Sequence, residues 1–395
     1  METHGTALIS TLAIALSAAF VAGFVARQLG VPAIVGYLLA GVAIGPFTPG
    51  LTADPHIALE LAEIGVALLM FGVGLHFSIG DLVSVYRIAV PGALGQIAVA
   101  TGLGAAAGIA FGWDLRASIV LGVAVSVAST VVLIRALEHR DMTASEPGHV
   151  AIGWLIVEDL VTVVVLVLLP VLASNRSASE YVGDVALALV NAGALTAVML
   201  IIGARLLPWV LARVERDGSR ELFTLAVVAV ALGIAYAAAV VFDISLALGA
   251  FLAGAVLSES PVGRKSGEQV VGLTDVFTVL FFVSVGMLLD PAVIRDHPVE
   301  IAVVLGIVVI GKSVAALGLT LLFRRSAATG LVVAAGLAQI GEFSFILATT
   351  ATALGLLPEE AFQVIVAVAL LSITVNPAVF AWAARRSDMA VTVKD

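Results

Sequence analysis

Long apolar runs recur along the whole chain and constrain its fold more than any other feature. Runs of 18 to 25 residues follow one another through the sequence, and each is long enough to cross about 30 Å of hydrocarbon as a helix. Hydrophobic residues make up 61% of the 395 residues and charged residues 12%, about half the charged share of an ordinary soluble domain. Because the polar surface of a soluble protein is missing, we expect an all-α polytopic membrane protein.

The remaining bulk properties narrow the functional classes. The chain has no cysteine and a formal net charge of −9, which excludes disulfides and thiolate metal sites and argues against nucleic acid as a partner. No phosphate loop or dinucleotide fingerprint is present. We therefore expect that the protein is not an enzyme and that it holds no cofactor and no resident metal. Its surroundings are expected to be a lipid bilayer. The amino terminus lacks the basic region of a cleavable signal, so the first apolar run is predicted to be retained.

Breaks at glycine and proline divide the apolar sequence into thirteen candidate transmembrane helices. Examples are Gly30-Val31-Pro32, Gly45-Pro46 and Asp290-Pro291, where a proline ends the preceding helix. The predicted spans are residues 5–26, 32–46, 57–75, 88–111, 117–136, 149–173, 182–206, 220–241, 244–258, 270–289, 299–323, 327–354 and 360–384.

The basic residues orient these spans. With the amino terminus outside, fifteen Lys and Arg residues fall in inward segments, and only Arg116, Arg176 and Arg295 fall in outward ones. The nineteenth, Lys312, lies within a span. Cytoplasmic loops carry an excess of Lys and Arg. We therefore expect a bacterial inner (plasma) membrane protein with its amino terminus outside and its carboxyl terminus in the cytoplasm.

A weak internal repeat supports a transporter. At an offset of 212 to 213 residues, 36–41 aligns with 249–254, and 63–74 aligns with 275–286. The offset covers seven predicted helices, an odd number, so the second copy is inverted in the membrane. Inverted repeats are typical of secondary transporters whose binding site lies between the copies near the midplane.

Polar or small residues interrupt spans five and twelve at equivalent positions of the repeat. Non-helical backbone at membrane depth is tolerated only where it is buried in protein or lines a cavity. We predict two broken helices that meet, although Ser and Thr could also bond back to their own helix. The residues concerned are Ser126, Val127, Ala128, Ser129 and Thr130 in span five, and Gln339, Gly341 and Glu342 in span twelve.

Four ionisable residues fall deep inside spans: Glu158, Asp159, Lys312 and Glu342. Unpaired, they would together cost on the order of 10–14 kcal/mol in the hydrocarbon. One alternative is a buried salt bridge that only joins helices. Three carboxylates cannot all be paired by one ammonium, however, so at least one of them is expected to serve transport.

The two adjacent carboxylates receive different roles. Neighbouring helical residues point about 100° apart, so we assign Asp159 to the ion path and Glu158 to Lys312, with Glu342 balancing charge. Burial favours the neutral form of an unpaired carboxyl, so Asp159 can hold either a proton or a cation. Ser129, Thr130 and nearby carbonyl oxygens would complete the cation shell.

Four ordered motifs, which together cover essentially the whole chain, resemble those of the monovalent cation:proton antiporter-2 family, and most closely its Kef-type potassium/proton antiporters. The motifs are Val31–Gly41, Leu280–Met287, Gly153–Leu160 and Leu337–Phe345. The resemblance implies a sodium/proton-antiporter-like fold of 13 transmembrane helices with crossed broken helices, a homodimer, and Asp159 as the ion carrier.

The same resemblance implies elevator-type alternating access. An ion-carrying core bundle, 57–173 and 270–384, would move against a dimerisation bundle, 5–46 and 220–258, with 182–206 as a linker helix. Many Kef-type members have Gln before the aspartate where this chain has Glu158, which leaves the choice of K⁺ or Na⁺ and the proton stoichiometry open. They also usually carry a carboxyl-terminal nucleotide-binding regulatory domain, whereas this sequence stops at Asp395, so we expect either that gating works differently or that a separate or removed segment supplies the domain.

The sequence therefore predicts a secondary active K⁺ or Na⁺:proton antiporter. A sodium-coupled symporter of an organic anion is an alternative on a related fold. A channel, or a membrane sensor or scaffold that transports nothing, would not need the unmatched carboxylates.

Overall fold

The computed structural model describes residues 4–50, 53–76, 79–143, 145–173, 178–242, 244–258 and 260–392, and within them every regular element is helical. Two short π-helical turns, π1 (Met199–Gly203) and π2 (Ile307–Gly311), interrupt otherwise continuous helices. The α-helices are α1 His4–Gln28, α2 Ala33–Ile44, α3 Pro55–His76, α4 Ile79–Ala110, α5 Leu115–Ser126, α6 Thr130–Glu138, α7 Glu146–Ala173, α8 Ala178–Val198, α9 Ala204–Arg216, α10 Arg220–Phe242, α11 Leu246–Ser258, α12 Pro261–Met287, α13 Val293–Asp296, α14 Pro298–Gly306, α15 Lys312–Leu322, α16 Ala327–Gly336, α17 Glu342–Ala353 and α18 Glu359–Thr392.

Each of the thirteen predicted spans overlaps one helix or one run of consecutive helices. In the described part of the chain, nine helices are long and apolar enough to cross a membrane, or ten when α11 and the start of α12, bent by 118°, form one span. The all-helical membrane class is confirmed. The count of thirteen crossings, the inverted repeat and the orientation remain predictions, and Arg176 lies outside the described residues.

The helices pack as two compact units. The first comprises Met1–Phe20, Ala43–Ser78 and Val165–Met287. In it α3 lies against α11 and α12, and Gly74 and Gly254 let the helix backbones touch, since a Cβ on either would collide with the partner backbone. Such small residues are typical of close helix packing in membranes.

The second unit comprises Val21–Val42, Ile79–Val164 and Leu288–Asp395. Its apolar core forms around the fully buried Trp154 of α7, with Leu133 of α6 and Val333 of α16 among the residues packed there. Helices α4 and α5 can approach closely because residue 104 is a glycine. A Cβ at this position would lie 2.5 Å from the Cα of Gly122. All eleven residues that the sequence predicts for the site belong to this unit.

The turn π2 sets the direction of Lys312. The amide N–H of Lys312 donates to the carbonyl of Ile307, five residues earlier. In a regular α-helix, residues four positions apart point about 40° apart around the helix axis, so a row with this spacing winds away from one face. The extra residue of a π turn reduces that winding by about 100°. The buried row with this spacing is Val304, Val308, Lys312, Ala316 and Thr320.

Candidate functional site

The first interruption separates α5 from α6 over residues 127–129. Val127 and Ser129 have extended backbone, with φ/ψ of −84°/138° and −81°/120°. The Ser129 hydroxyl accepts a hydrogen bond from the Val132 amide at 3.2 Å, which is the usual role of serine at a helix start. The Ser126 hydroxyl instead donates to the carbonyl of Val123 at 2.7 Å. The two serine side chains therefore form local hydrogen bonds at the end of α5 and at the start of α6.

The second interruption separates α16 from α17 over residues 337–341. Gly341 precedes the first turn of α17 and has no side chain to cap it. The Ile340 amide donates to the Ser372 hydroxyl of α18 at 3.2 Å. Glu342 lies in the first turn of α17, where a negative charge is favoured by the positive end of the helix dipole.

The two interruptions touch. The Gly341 amide donates to the Val127 carbonyl at 3.1 Å, and the Gln339 Nε2 donates to the Ser129 carbonyl at 3.1 Å. Only glycine fits at 341, because a Cβ there would lie 2.5 Å from the Ala128 carbonyl oxygen. Residues 210 positions apart in the sequence thus form one polar cluster.

Helix α7 directs its two adjacent carboxylates at the first interruption. The Oε2 of Glu158 accepts a hydrogen bond from the Ala128 amide at 2.9 Å. The Oδ2 of Asp159 accepts one from the Thr130 hydroxyl at 3.1 Å. Both carboxylates lie near the amino-terminal end of α6, where free amides and the helix dipole stabilise negative charge.

Glu342 completes a group of three acidic side chains. Glu342 lies close enough to Ser129 and Asp159 to interact with both electrostatically, and the carboxylates of Glu342 and Asp159 repel each other when both are ionised. Relative exposure is 0% for Glu158, 5% for Asp159 and 3% for Glu342. All three carboxylates are therefore held almost out of contact with solvent.

Lys312 lies at the second interruption, where its Nζ donates to the Gln339 carbonyl at 3.0 Å. The side chain is fully buried. Lys312 and Glu158 influence each other electrostatically, but no ion pair within 4 Å joins them among the residues that the structure describes. The direct partner of the ammonium is a backbone carbonyl, and Glu158 is its more distant countercharge.

Each acidic side chain keeps one buried oxygen without a partner. These atoms are the Oε1 of Glu158, the Oδ1 of Asp159 and the Oε1 of Glu342, none of which accepts a hydrogen bond within the described part of the protein. Leaving a buried acceptor unsatisfied costs about 1–3 kcal/mol, and more for a charged group. A proton or a cation bound at these oxygens would remove that cost.

The sequence reasoning missed three polar residues that stabilise the interruptions. Gln96 of α4 donates to the Ser126 carbonyl at 3.1 Å, and Asn376 of α18 donates to the Ala335 carbonyl at 2.9 Å. Ser372 accepts from the Ile340 amide. Gln96 is an isolated polar residue in an apolar span, and Ser372 and Asn376 lie with Thr374 in a short polar cluster within another; polar residues at such depth are the signal that points to them. No group of three or more metal-ligating side chains is placed to hold a resident metal in the described ranges.

Comparisons with known proteins find similar sequences over nearly the whole chain. Residues 15–386 match the family model described as "Sodium/hydrogen exchanger, transmembrane". The chain is 52% identical over 384 residues to the putative cation/proton antiporter YbaL of Escherichia coli K12, covering 96% of this chain and 69% of that protein. It is 31% identical over 376 residues to K(+) efflux antiporter 4 of Arabidopsis thaliana, covering 94% of this chain and 63% of the plant protein.

A solved structure shares the fold. The sodium proton antiporter MjNhaP1 from Methanocaldococcus jannaschii superposes with a TM-score of 0.74 at 18% identity, covering 96% of this chain and 97% of that one. At this identity the similarity describes the arrangement of helices alone.

Proposed function

The chain belongs to the sodium/hydrogen exchanger family, and on that basis we propose that it is a secondary active antiporter that exchanges a monovalent cation for protons across the bilayer. One observation carries the proposal. Asp159 is almost fully buried where the two helix interruptions touch, and among the described residues it accepts a single hydrogen bond, from Thr130, and keeps its Oδ1 unpartnered.

Asp159 is the proposed carrier. When it is ionised, its buried charge is compensated by the Thr130 hydroxyl and by the adjacent end of α6. A proton on the carboxyl removes the charge, and so does a desolvated cation. Because one carboxylate cannot hold both, each ion displaces the other, and a cycle that alternates them couples their two gradients.

The cation shell is proposed to form from oxygens at the first interruption. Non-helical backbone there leaves carbonyl groups without a partner in their own helix, and monovalent cations bind well to such oxygens. Ser129 and Thr130 would contribute hydroxyl oxygens beside Asp159. Glu342 lies close enough to supply charge, since it interacts with both Asp159 and Ser129.

Glu158 and Lys312 decide the charge carried in each cycle. If Glu158 stays ionised opposite Lys312 throughout, one cation exchanges for one proton. If cation binding shifts a proton at this pair, a second proton moves and transport becomes electrogenic, at about 2.3 kcal/mol per net charge per 100 mV. The names of the relatives include both a K⁺ efflux antiporter and a sodium proton antiporter, so K⁺ and Na⁺ are both candidate substrates.

We further propose a homodimer that works by elevator-type alternating access, with the amino terminus outside. The bundle 57–173 and 270–384 would carry the site, the bundle 5–46 and 220–258 would form the dimer, and residues 182–206 would link them. The burial of Asp159 supports a mechanism with movement, since an ion reaches a 5% exposed carboxylate only after a rearrangement. A separate regulatory subunit is part of the same proposal.

The test uses purified protein in liposomes that enclose a pH-sensitive dye. Adding K⁺, Na⁺ or Li⁺ outside should move protons in the opposite direction, and the cation with the lowest apparent KM is the substrate. Asp159→Asn should abolish exchange while the protein remains folded and elutes as the wild type does.

Asp114→Asn is the matched control for this substitution. Asp114 caps the start of α5 by accepting from two backbone amides, and asparagine caps equally well, so exchange should be unchanged. Full exchange by Asp159→Asn would contradict the carrier assignment. Sodium uptake that depends on an added organic anion would point to the symporter alternative.

A further inference from the structure

Gln96 contacts the first interruption from a neighbouring helix. It lies in α4 with 0% exposure, and its Nε2 donates to the Ser126 carbonyl at 3.1 Å. Ser126 is the last residue of α5. Its carbonyl therefore has no amide partner in its own helix and carries part of the negative end of the helix dipole.

The hydrogen bond from Gln96 fixes the peptide group at which the chain leaves the helix. The plane of that peptide sets the direction of the next residues, whose groups make the contacts of the site. Val127 accepts from Gly341, Ala128 donates to Glu158, and Thr130 donates to Asp159. A rotation at Ser126 would move all three contacts together.

The donor at this position is neutral, whereas the second interruption uses an ammonium. There the Lys312 ammonium donates to the Gln339 carbonyl and compensates its partial negative charge. A cation at position 96 would raise the positive potential beside the first interruption and weaken binding of a transported cation. A carboxylate would repel the Ser126 carbonyl. A primary amide donates one hydrogen bond and adds no net charge, which suits a site that must admit a cation.

The unpartnered side-chain oxygen of Gln96 distinguishes this residue from a buried amide that has only a structural role. Its Oε1 is buried and accepts no hydrogen bond from the described residues. Gln363 of α18 is the contrast: its Nε2 donates to the Leu288 carbonyl at 2.6 Å and its Oε1 accepts from the Asp290 amide at 2.8 Å. At position 96 the donor is retained although the oxygen is left unsatisfied.

We propose that Gln96 is a positioning residue for cation binding: through its hydrogen bond to the Ser126 carbonyl it holds residues 127–130 in the geometry in which Asp159 takes up the cation. This proposal rests on the proposed antiport and assigns part of its cation affinity to a residue that need not touch the ion. Gln96 acts on the apparent KM for the cation more than on the maximal rate.

Two substitutions test it by liposome exchange at several cation concentrations and pH values. Gln96→Met keeps the shape and removes the donor, and should raise the apparent KM about tenfold, as expected for the loss of one buried hydrogen bond, with the maximal rate changed less than about twofold. Gln96→Glu can donate only when protonated. Its KM should be near that of the wild type at acidic pH and should rise relative to the wild type as the pH increases.

Gln363→Met is the matched control, because it removes a buried amide of the same size away from the interruptions. It should lower thermal stability and leave the KM unchanged. If Gln96→Met also loses only stability, or if Gln96→Glu has the pH profile of the wild type, the positioning role is wrong while the antiport stands. A wild-type protein that neither exchanges ions nor gains thermal stability with added cation would overturn the proposed function and this inference with it.

Discussion

The two helix interruptions of the second unit are stabilised by different chemistry. At residues 127–129 the donor to the preceding helix end is the neutral amide of Gln96, and the following end faces the carboxylates of α7. At residues 337–341 the buried ammonium of Lys312 donates to the Gln339 carbonyl and compensates its partial negative charge. The second interruption thus has a buried ammonium at its backbone, whereas the first has neutral donors and faces two carboxylates. In the proposed function, the cation binds at the first interruption and the second serves as an anchor.

Removing the charge of the anchor should have the largest effect on stability. Lys312→Met leaves the Gln339 carbonyl unpaired and Glu158 without its countercharge, and breaking such a buried arrangement costs about 3–5 kcal/mol. Thermal unfolding in detergent measures the loss. The double variant Lys312→Met/Glu158→Gln should regain part of it, because the uncompensated carboxylate is removed as well. A double variant no more stable than the single one would show that the Gln339 carbonyl is the partner that matters.

Separating the two interruptions should have the next largest effect. Gly341→Ala places a Cβ 2.5 Å from the Ala128 carbonyl oxygen and 2.8 Å from the Ser129 nitrogen, so the two interruptions must move apart. Overpacking of this kind costs about 1–3 kcal/mol, and exchange should fall at least tenfold. Gly102→Ala in α4 is the control, because a Cβ there meets nothing within 4 Å. Wild-type exchange by Gly341→Ala would mean that contact between the interruptions is not needed.

The smallest effect should distinguish the ion side from the capping side within the first interruption. Thr130→Val removes the hydroxyl that donates to Asp159 and should raise the apparent KM for the cation severalfold with little change in stability. Ser129→Ala removes a proposed cation ligand that is also a helix cap, so it should raise the apparent KM and in addition lower the unfolding free energy by about 1 kcal/mol. Exchange kinetics and thermal unfolding of both variants test this, and identical behaviour of the two would remove the distinction.

Much of this comparison could be predicted from the sequence. The resemblance to the antiporter family, which rested on four motifs spread over the chain, is confirmed by the family match and by the related antiporters. Ser126–Thr130 and Gln339–Glu342 indicated where spans five and twelve are interrupted, since clustered polar and small residues at membrane depth favour non-helical backbone. The acidic pair of α7 stood out because charged groups in an apolar span are costly. These signals are local, and each can be read without knowing the tertiary structure.

The partners of these groups could not be predicted in the same way. Counting side-chain charges assigned Lys312 directly to Glu158, but the structure provides a backbone carbonyl, which no charge count includes. Gln96 and Asn376 were missed because each donates to a carbonyl of another helix, and that contact depends on how helices pack. A lone amide in an apolar span has many equivalent partners until the interruption that frees a carbonyl is placed beside it.

The π turn before Lys312 has a consequence for changes in chain length. Lys312 follows Val304 by eight positions, which in a regular α-helix would leave the lysine about 80° off the face of the valine. Deleting one residue inside the turn, such as the 65% exposed Ile310, would shorten the separation to about two full α-helical turns and keep both residues on one face. A deletion elsewhere between Pro298 and Lys312 would rotate the lysine by about 100° around the helix axis, relative to the residues that precede the deletion. Loss of a single codon should therefore be tolerated within Ile307–Gly311 and not in the preceding turns of the same helix.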